Sequence, residues 1–394
     1  MTVAALQTDQ LLNTVTSGPA GAVFARVEVC RNPRDALAAW RELAPERCAS
    51  YYQSEKFLLT WLDHFGRGKK VEPFFIIARD QCGGPLALLP MGLFRIGRLR
   101  VAQFLGGKHS NYNLGLFRAD CAFSVQDLRL LLLEAARVKK GPHLYRLLNM
   151  PLLWRGAVHP LTLLPHRPAA SRAYATALGD DGEAWLAAQL SADTRKKLRK
   201  KEKRLSGMGE LHYFRAENQM QAKAALDAYF VQKQQLMAGL AGEEEWAAIR
   251  AFYDSLTSFE RGGGPPPVEL HALALGDRII ATFAAGLAGG RLQGMFNSFD
   301  ADPEIAKSSP GQVLLIHVLR DACARKIRAF DLGIGEARYK ATFCDEVEIL
   351  ADALFATGFL GRLARPFFAA GMAMKAAIKQ NPRLWALVDC LRRR

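Results

Sequence analysis

Residues 291–343 read RLQGMFNSFDADPEIAKSSPGQVLLIHVLRDACARKIRAFDLGIGEARYKATF. An apolar strand-like run, Arg291 to Phe299, breaks at a loop rich in Pro and Ser and gives way to a helix pattern over 311–327. A second apolar run, 328–332, ends in the glycine-rich turn Gly333-Ile334-Gly335. Strand, loop, helix, strand is a βαβ unit, so an α/β fold is expected, with parallel pairing at this point. In the helix, Leu315, Val318, Leu319, Ala322 and Ile327 fall on one face, which is expected to be buried.

Ligand chemistry is expected at the start of that helix. The first N–H groups of a helix lack intrahelical acceptors, and the dipole favours an anion beside them. Pro310 has no N–H to leave unpaired there, and Gly311 lets a ligand approach the main chain closely. Lys307, Ser308 and Ser309 add a cation and two hydroxyls beside it. A plain helix entry after a Ser-Pro stop would account for the same residues. No G-x-x-x-x-G-K-S/T motif is present, and Gly333-Ile334-Gly335 is only a fragment of G-x-G-x-x-G. Nucleoside triphosphate and dinucleotide binding are therefore disfavoured.

Beyond the second strand lies Asp331-Leu-Gly-Ile-Gly-Glu336-Ala-Arg-Tyr339-Lys340. An Asp at the end of a parallel-type strand opens onto the crevice where α/β sites lie. Asp331 or Glu336 is a candidate to accept a proton from an amine or hydroxyl nucleophile. Tyr339 or Lys340 is a candidate to polarise a carbonyl or donate a proton. The competing reading makes Asp331 a turn cap and Lys340 a surface cation.

Further out, the same order of elements occurs twice. Pro73 to Ala78, Pro85 to Phe94 and Leu99 to Leu105 read as strands, Val125 to Lys139 as a leucine-rich helix, and His143 to Leu148 as a strand. Val268 to Leu275, Arg278 to Leu287, Arg291 to Phe299, the helix 311–327 and the strand 328–332 repeat that order, so a structural duplication is expected. Its division would be a loose arm at 1–20, a first domain at 21–168, a second at 169–358 and a basic amphipathic tail at 359–394. Gly262 to Pro267 reads as a surface connector within the second.

The 394 residues suit about two domains, and a composition half hydrophobic and 23% charged is that of a folded protein. A net charge of +15 favours acidic company: a phosphorylated cofactor, an anionic lipid surface or nucleic acid. The seven cysteines are scattered without a CxxC pair, which argues against disulfides or zinc and for a reducing compartment. The eight histidines show no HExxH or other ligand spacing, and GxSxG is absent, so neither a metal nor that hydrolase type is expected. No secretory leader is evident. The apolar stretch from Ala351 to Ile378 is interrupted by Asp352, Arg362, Arg365 and Lys375, so a cytoplasmic protein is expected.

Ser191 to Leu205 forms a cationic helix whose narrow apolar stripe is Leu190, Leu198 and Leu205. It would serve as the wall of an anion groove, a membrane contact, an RNA contact or simply a solvated face. It has no interleaved aromatics and no nucleic-acid motif beside it, so nucleic acid is disfavoured as a partner.

FNSFDADPEIAKSSPGQVLL (296–315) followed by AFDLGIGEARYKATF (329–343) resembles the C-terminal acyltransferase domain of the CelD-like, or BioF2-like, branch of the GNAT superfamily of acyl-CoA N-acyltransferases. LSADTRKKLRKKEKRL (190–205) resembles the basic helix that opens that domain. YYQSEKFLLTWLDHFG (51–66) and LRVAQFLGGKHSNYNLGLF (99–117) are similar to the family's first half, and KAAIKQNPRLWALVDCLRRR (375–394) to its ending.

The resemblance implies tandem GNAT-like domains, each a mixed central sheet flanked by helices, with acyl-CoA bound by the second. Carried over, the cofactor pyrophosphate would meet backbone amides at Ser309, Pro310, Gly311 and Gln312, with Lys307 nearby. The usual arginine-or-glutamine/glycine loop signature is not intact here. Asn111-Tyr112 stands where the family commonly has an acidic residue before the tyrosine, and the first half lacks a Pro-Gly helix entry, which implies a non-binding scaffold. The implied reaction moves an acyl group, acetyl foremost, from acyl-CoA to an amine or hydroxyl of a sugar or polysaccharide precursor, in bacterial exopolysaccharide or cellulose production. Two alternatives remain open: a FemAB-like transferase dependent on aminoacyl-tRNA, and a non-catalytic accessory protein of a polysaccharide synthase that docks on membrane through its basic tail.

Overall fold

In a computed structural model, which describes residues 14–18, 21–44, 50–66, 68–236, 243–259 and 264–381, two mixed sheets grow from one repeated plan. In the first, Glu72–Arg79, Pro85–Ile96 and Leu99–Phe104 form an antiparallel meander. Helix Val125–Ala136 then crosses over, and Leu144–Pro151 joins Leu99–Phe104 in parallel. In the second, Val268–Leu275, Arg278–Ala288 and Arg291–Phe299 form the meander. Helix Pro310–Ala324 crosses over, and Ala329–Ile334 joins Arg291–Phe299 in parallel. The duplication expected from the sequence is present in this topology, as a tandem GNAT-like α/β arrangement.

Local chemistry sets these elements. Gly289 and Gly290, at φ 55° and 77°, make the two-residue turn that returns the chain into Arg291–Phe299. Helix Val125–Ala136 opens on a capping box, in which the Ser124 hydroxyl accepts from the Asp127 N–H and the Asp127 carboxylate accepts from the Ser124 N–H. Ser54 caps Glu55–Trp61 through the Phe57 N–H, as its position before an apolar run predicts.

The predicted division needs one correction. Leu350–Ala356, assigned to the second domain, lies in the first sheet, antiparallel to both Leu144–Pro151 and His166–Pro168. The reason is edge pairing: without it Leu144–Pro151 would present an open row of backbone donors and acceptors. In the predicted loose arm, Thr14–Ser17 is a strand paired with Arg26–Cys30, while 1–13 and 19–20 lie outside the described residues. So do residues 262 and 263 of the connector and 382–394 of the tail.

The halves share a core. Tyr51, Tyr52, Phe57 and Trp61 from the first pack with Phe252, Tyr253 and Phe296 from the second. Each such aromatic contributes roughly 1.5–3 kcal/mol through burial. Gly286 is required there, because a Cβ would overlap the Tyr51 ring. Tyr52 donates to the Gly294 carbonyl at 2.9 Å, so the first half is hydrogen-bonded to the strand that borders the candidate site.

Candidate active site

The parallel pair Arg291–Phe299 and Ala329–Ile334 is in register only from Arg291 opposite Ala329 to Gln293 opposite Asp331. Past that point the strands part into a V. On the other side of Arg291–Phe299 the ladder slips: Ala285 pairs Gly294 and Ala284 pairs Phe296, which leaves Met295 as the bulged residue. A bulge takes a residue's amide out of regular pairing and turns it towards a neighbouring space.

One pocket of about 250 Å³ lies on the helix side of this V, with Phe283, Phe299, Leu314 and Leu315 as apolar walls and Ser309, Gly311 and Gln312 at its end. A Cβ at Gly311 would meet nothing within 4 Å, so that part of the main chain is open. Pro310 has no N–H, and the Gly311 N–H has no acceptor among the described residues. Ser309 caps the helix in the left-handed region, at φ 47°. Lys201, from helix Ala192–Ser206, places its Nζ 3.0 Å from Ser309 Oγ and 2.9 Å from Gln312 Oε1. Burial holds its pKa below the usual lysine range. The helix is seated by buried Leu198 and Leu205 and by Glu202, whose carboxylate lies 2.9 Å from His317 Nε2. The cation expected at this turn is therefore Lys201 and not Lys307, which is exposed and pairs with Glu304 at 2.5 Å.

A second pocket of about 300 Å³ shares Phe283, Asn297 and Tyr339 with the first. Asn111, Tyr229, Lys233, Tyr253, Met295 and Lys340 also line it. Tyr339 is half-buried; burial raises its pKa and a hydrogen bond with Asn297 opposes that rise. Lys340 is buried and donates to the carbonyls of Gly333 at 3.1 Å and Ile334 at 2.8 Å. Burial, set against attraction to Asp331, brings its pKa down to about 8. Lys233 is half-buried without a charged or hydrogen-bonding partner among the described residues, and burial lowers its pKa too.

The two acidic candidates stand elsewhere. Asp331 is fully buried and lines neither pocket. Its carboxylate accepts from Arg291 Nε at 2.9 Å, from the Tyr112 hydroxyl at 2.9 Å and from the Gly333 N–H at 2.6 Å. Arg291 also donates to Glu348 at 2.8 Å and lies over the Trp154 ring at 4.7 Å. Burial works against the Arg291 charge, yet Asp331, Tyr112 and Glu348 hold its pKa above the usual value. Asp331 is thus the centre of a buried ionic cluster joining the halves, with its acceptor sites engaged, and is not placed to take a substrate proton. Glu336 is exposed and borders a surface hollow with Ser171, Lys379 and Lys340, the last of which also lines the second pocket. Of the four catalytic candidates, the structure brings Tyr339 and Lys340 together at the second pocket, sets Glu336 in a hollow that Lys340 also borders, and leaves Asp331 lining neither pocket. Among the described residues no group of His, Cys, Asp or Glu has the arrangement to hold a metal ion.

Sequence reading missed Lys201, Asn297, Tyr229, Lys233 and Tyr253, and placed Asn111 in a non-binding scaffold, whereas it lines the second pocket. A signal existed for Lys201, which follows Leu198 by three positions and precedes Leu205 by four, so it borders the packed stripe. Asn297 lies two residues past the bulge, on the same strand face as Met295. The others come from distant segments and carry no local signal.

Residues 192–341 match the acetyltransferase (GNAT) domain family, and this segment holds both pockets apart from Asn111. Among solved structures the chain is similar to FemX, with 9% identity and a TM-score of 0.57, over 85% of this chain and 98% of that one. It is also similar to the C-terminal domain of a putative lysylphosphatidylglycerol synthetase from Agrobacterium fabrum, at 14% identity and a TM-score of 0.48, over 88% and 97%. A tandem GNAT protein from the clavulanic acid biosynthesis pathway is similar at 12% identity and a TM-score of 0.43, over 84% and 99%. No curated protein matches the sequence. The likeness to FemX shows a shared fold.

Proposed function

We propose that the chain is an acyl-CoA-dependent acyltransferase, passing an acyl group to an amine or hydroxyl of an acceptor held in the second pocket. The observation that carries this reading is the meeting of the two pockets at Tyr339 and Asn297, beside the bulge at Met295. The open Gly311 amide with Lys201 suits a pyrophosphate, and the apolar walls beyond suit the thioester arm.

In this mechanism the acceptor attacks the thioester carbonyl, and the Met295 amide supports the charge that develops on its oxygen. Lys340 is the base. A neutral lysine has two N–H bonds and one lone pair; the carbonyls of Gly333 and Ile334 take both N–H groups, which leaves the lone pair for the acceptor's proton. Tyr339, kept protonated by burial, gives its proton to the departing thiolate. One proton passing from Lys340 to Tyr339, directly or through water, restores both.

The amide and hydroxyl groups of Asn111, Asn297, Tyr229 and Tyr253 suit a polyhydroxylated acceptor. Lys233 suits one that also carries a carboxylate or phosphate, because no acidic residue lines this pocket. These features support a sugar or sugar-precursor acceptor and the CelD-like assignment, with a place in exopolysaccharide or cellulose production. Calorimetry with acetyl-CoA tests the donor site: wild type should bind, and Gly311→Glu should weaken binding at least about tenfold. Equal affinity in both, or no binding by wild type, overturns the reading.

One observation favours a second reading, an aminoacyl donor carried on RNA. Lys196, Arg199, Lys200 and Lys203 are exposed on helix Ala192–Ser206, whose Lys201 bonds Ser309 and Gln312 of the first pocket's lining. RNA affinity that falls steeply with salt would support it, and no RNA binding at low salt would remove it.

A further inference from the structure

We propose that helix Phe359–Gln380 seats the protein on an anionic lipid bilayer, lying in the plane of the interface. This does not rest on the reading of the reaction. The helix packs by one face against the strands Leu144–Pro151 and Leu350–Ala356. Gly361 and Met372 are buried there, and Arg146 lies over the Phe368 ring at 5.8 Å. Gly361 allows the close approach, since a Cβ would overlap the His143 carbonyl.

The opposite face of a surface helix is ordinarily polar. Here it is not. Phe359 is 79% exposed, Leu363 59%, Phe367 73% and Met374 63%. These positions recur near helical spacing, so they form one outward stripe about 180° from the packed face. Exposed Arg362 lies beside the stripe, exposed Arg365 and Lys375 lie nearer the packed face, and residues 359–380 contain no Asp or Glu. Residues 382–394 add four arginines against one aspartate.

An apolar stripe on a helix whose charged side chains are all cations complements acyl chains and anionic headgroups. A second copy is a poor fit, because a self-complementary contact would bring the same cations together with no acidic residue of this helix between them. None of the described helices is long and apolar enough to cross a membrane, which agrees with a helix that lies on the surface.

The full chain should be floated with vesicles of phosphatidylcholine alone and of phosphatidylcholine with phosphatidylglycerol. Wild type is expected to float with the mixed vesicles, and less so as salt rises. The double variant Leu363→Glu, Phe367→Glu should lose at least about tenfold in partitioning. Arg362→Gln with Arg365→Gln should lose several-fold, with the circular dichroism spectrum unchanged in both. No flotation of wild type, or equal flotation of the Glu variant, overturns the proposal. So does a concentration-dependent dimer that the Glu variant abolishes in the absence of vesicle binding, which would assign the stripe to a second copy. Loss of all binding on truncation after residue 381 would assign the contact to the last residues and overturn it as well.

Discussion

Arg291, on the first rung of the parallel ladder, donates through Nε at 2.9 Å to the buried carboxylate of Asp331, on the last rung before the strands cease to pair. The pair holds the narrow end of the V shut, while Tyr112 and Trp154 of the first half close over it. The pockets open beyond that point. Met295 and Asn297 lie further along the first strand, and Tyr339 and Lys340 lie on the helix Arg338–Phe343 beyond the end of the second.

Removing either partner strands the other charge away from water. Asp331→Asn and Arg291→Met are each expected to cost about 3–5 kcal/mol in urea unfolding. Acetyl-CoA affinity of the folded protein should stay within a few-fold. A loss below about 1 kcal/mol would mean that the cluster does not hold the fork.

With Lys340 as base, kcat/KM should rise with pH through a limb near 8 and level off above it, because only the neutral amine accepts a proton. Stability should move the same way. A lysine whose folded pKa is depressed binds fewer protons folded than unfolded, so stability increases from about pH 8 towards the unfolded lysine value near 10.4. Lys340→Met should flatten both curves. A rate limb that survives in this variant would exclude Lys340 as the base.

Tyr339→Phe removes the proposed acid and leaves the ring that borders both pockets. The expected result is a fall in kcat of about 10²–10⁴-fold with little change in KM for acyl-CoA. Equal losses with a substrate whose leaving thiol is strongly acidic would argue against proton donation, since such a thiolate needs no acid.

Lys201→Ala should weaken acetyl-CoA binding by about 10–100-fold, the loss of one charge-assisted contact. Dephosphorylated fragments that lack the pyrophosphate should bind both proteins alike. If they too are weakened, Lys201 acts by holding the helix entry through Ser309 and Gln312 and not by meeting the anion.

Much of the architecture was legible because its signals are local. The strands bounded by Gly276-Asp277 and Gly289-Gly290 follow from turn residues between apolar runs. The helix beginning at Pro310 follows from the proline and the apolar face behind it. The open main chain at Gly311 was legible for the same reason. Asp331 was misread because its position at a strand end is visible locally, whereas its partners Tyr112 and Arg291 lie far off in sequence. Lys233 and Tyr253 were illegible, since helices Gln219–Leu236 and Glu243–Thr257 approach the fork only in three dimensions. Leu350–Ala356 reads plainly as a strand, but nothing in its pattern says which sheet receives it.

The return of Leu350–Ala356 to the first sheet makes the N-terminal half wait for the C-terminal one. On the ribosome, Leu144–Pro151 emerges with one edge bare and stays so until Leu350–Ala356 has been translated. A product ended early would keep that sticky border and invite clearance by chaperones and proteases. The half with the pockets is thus enclosed, like a parenthesis, within the sequence of its support.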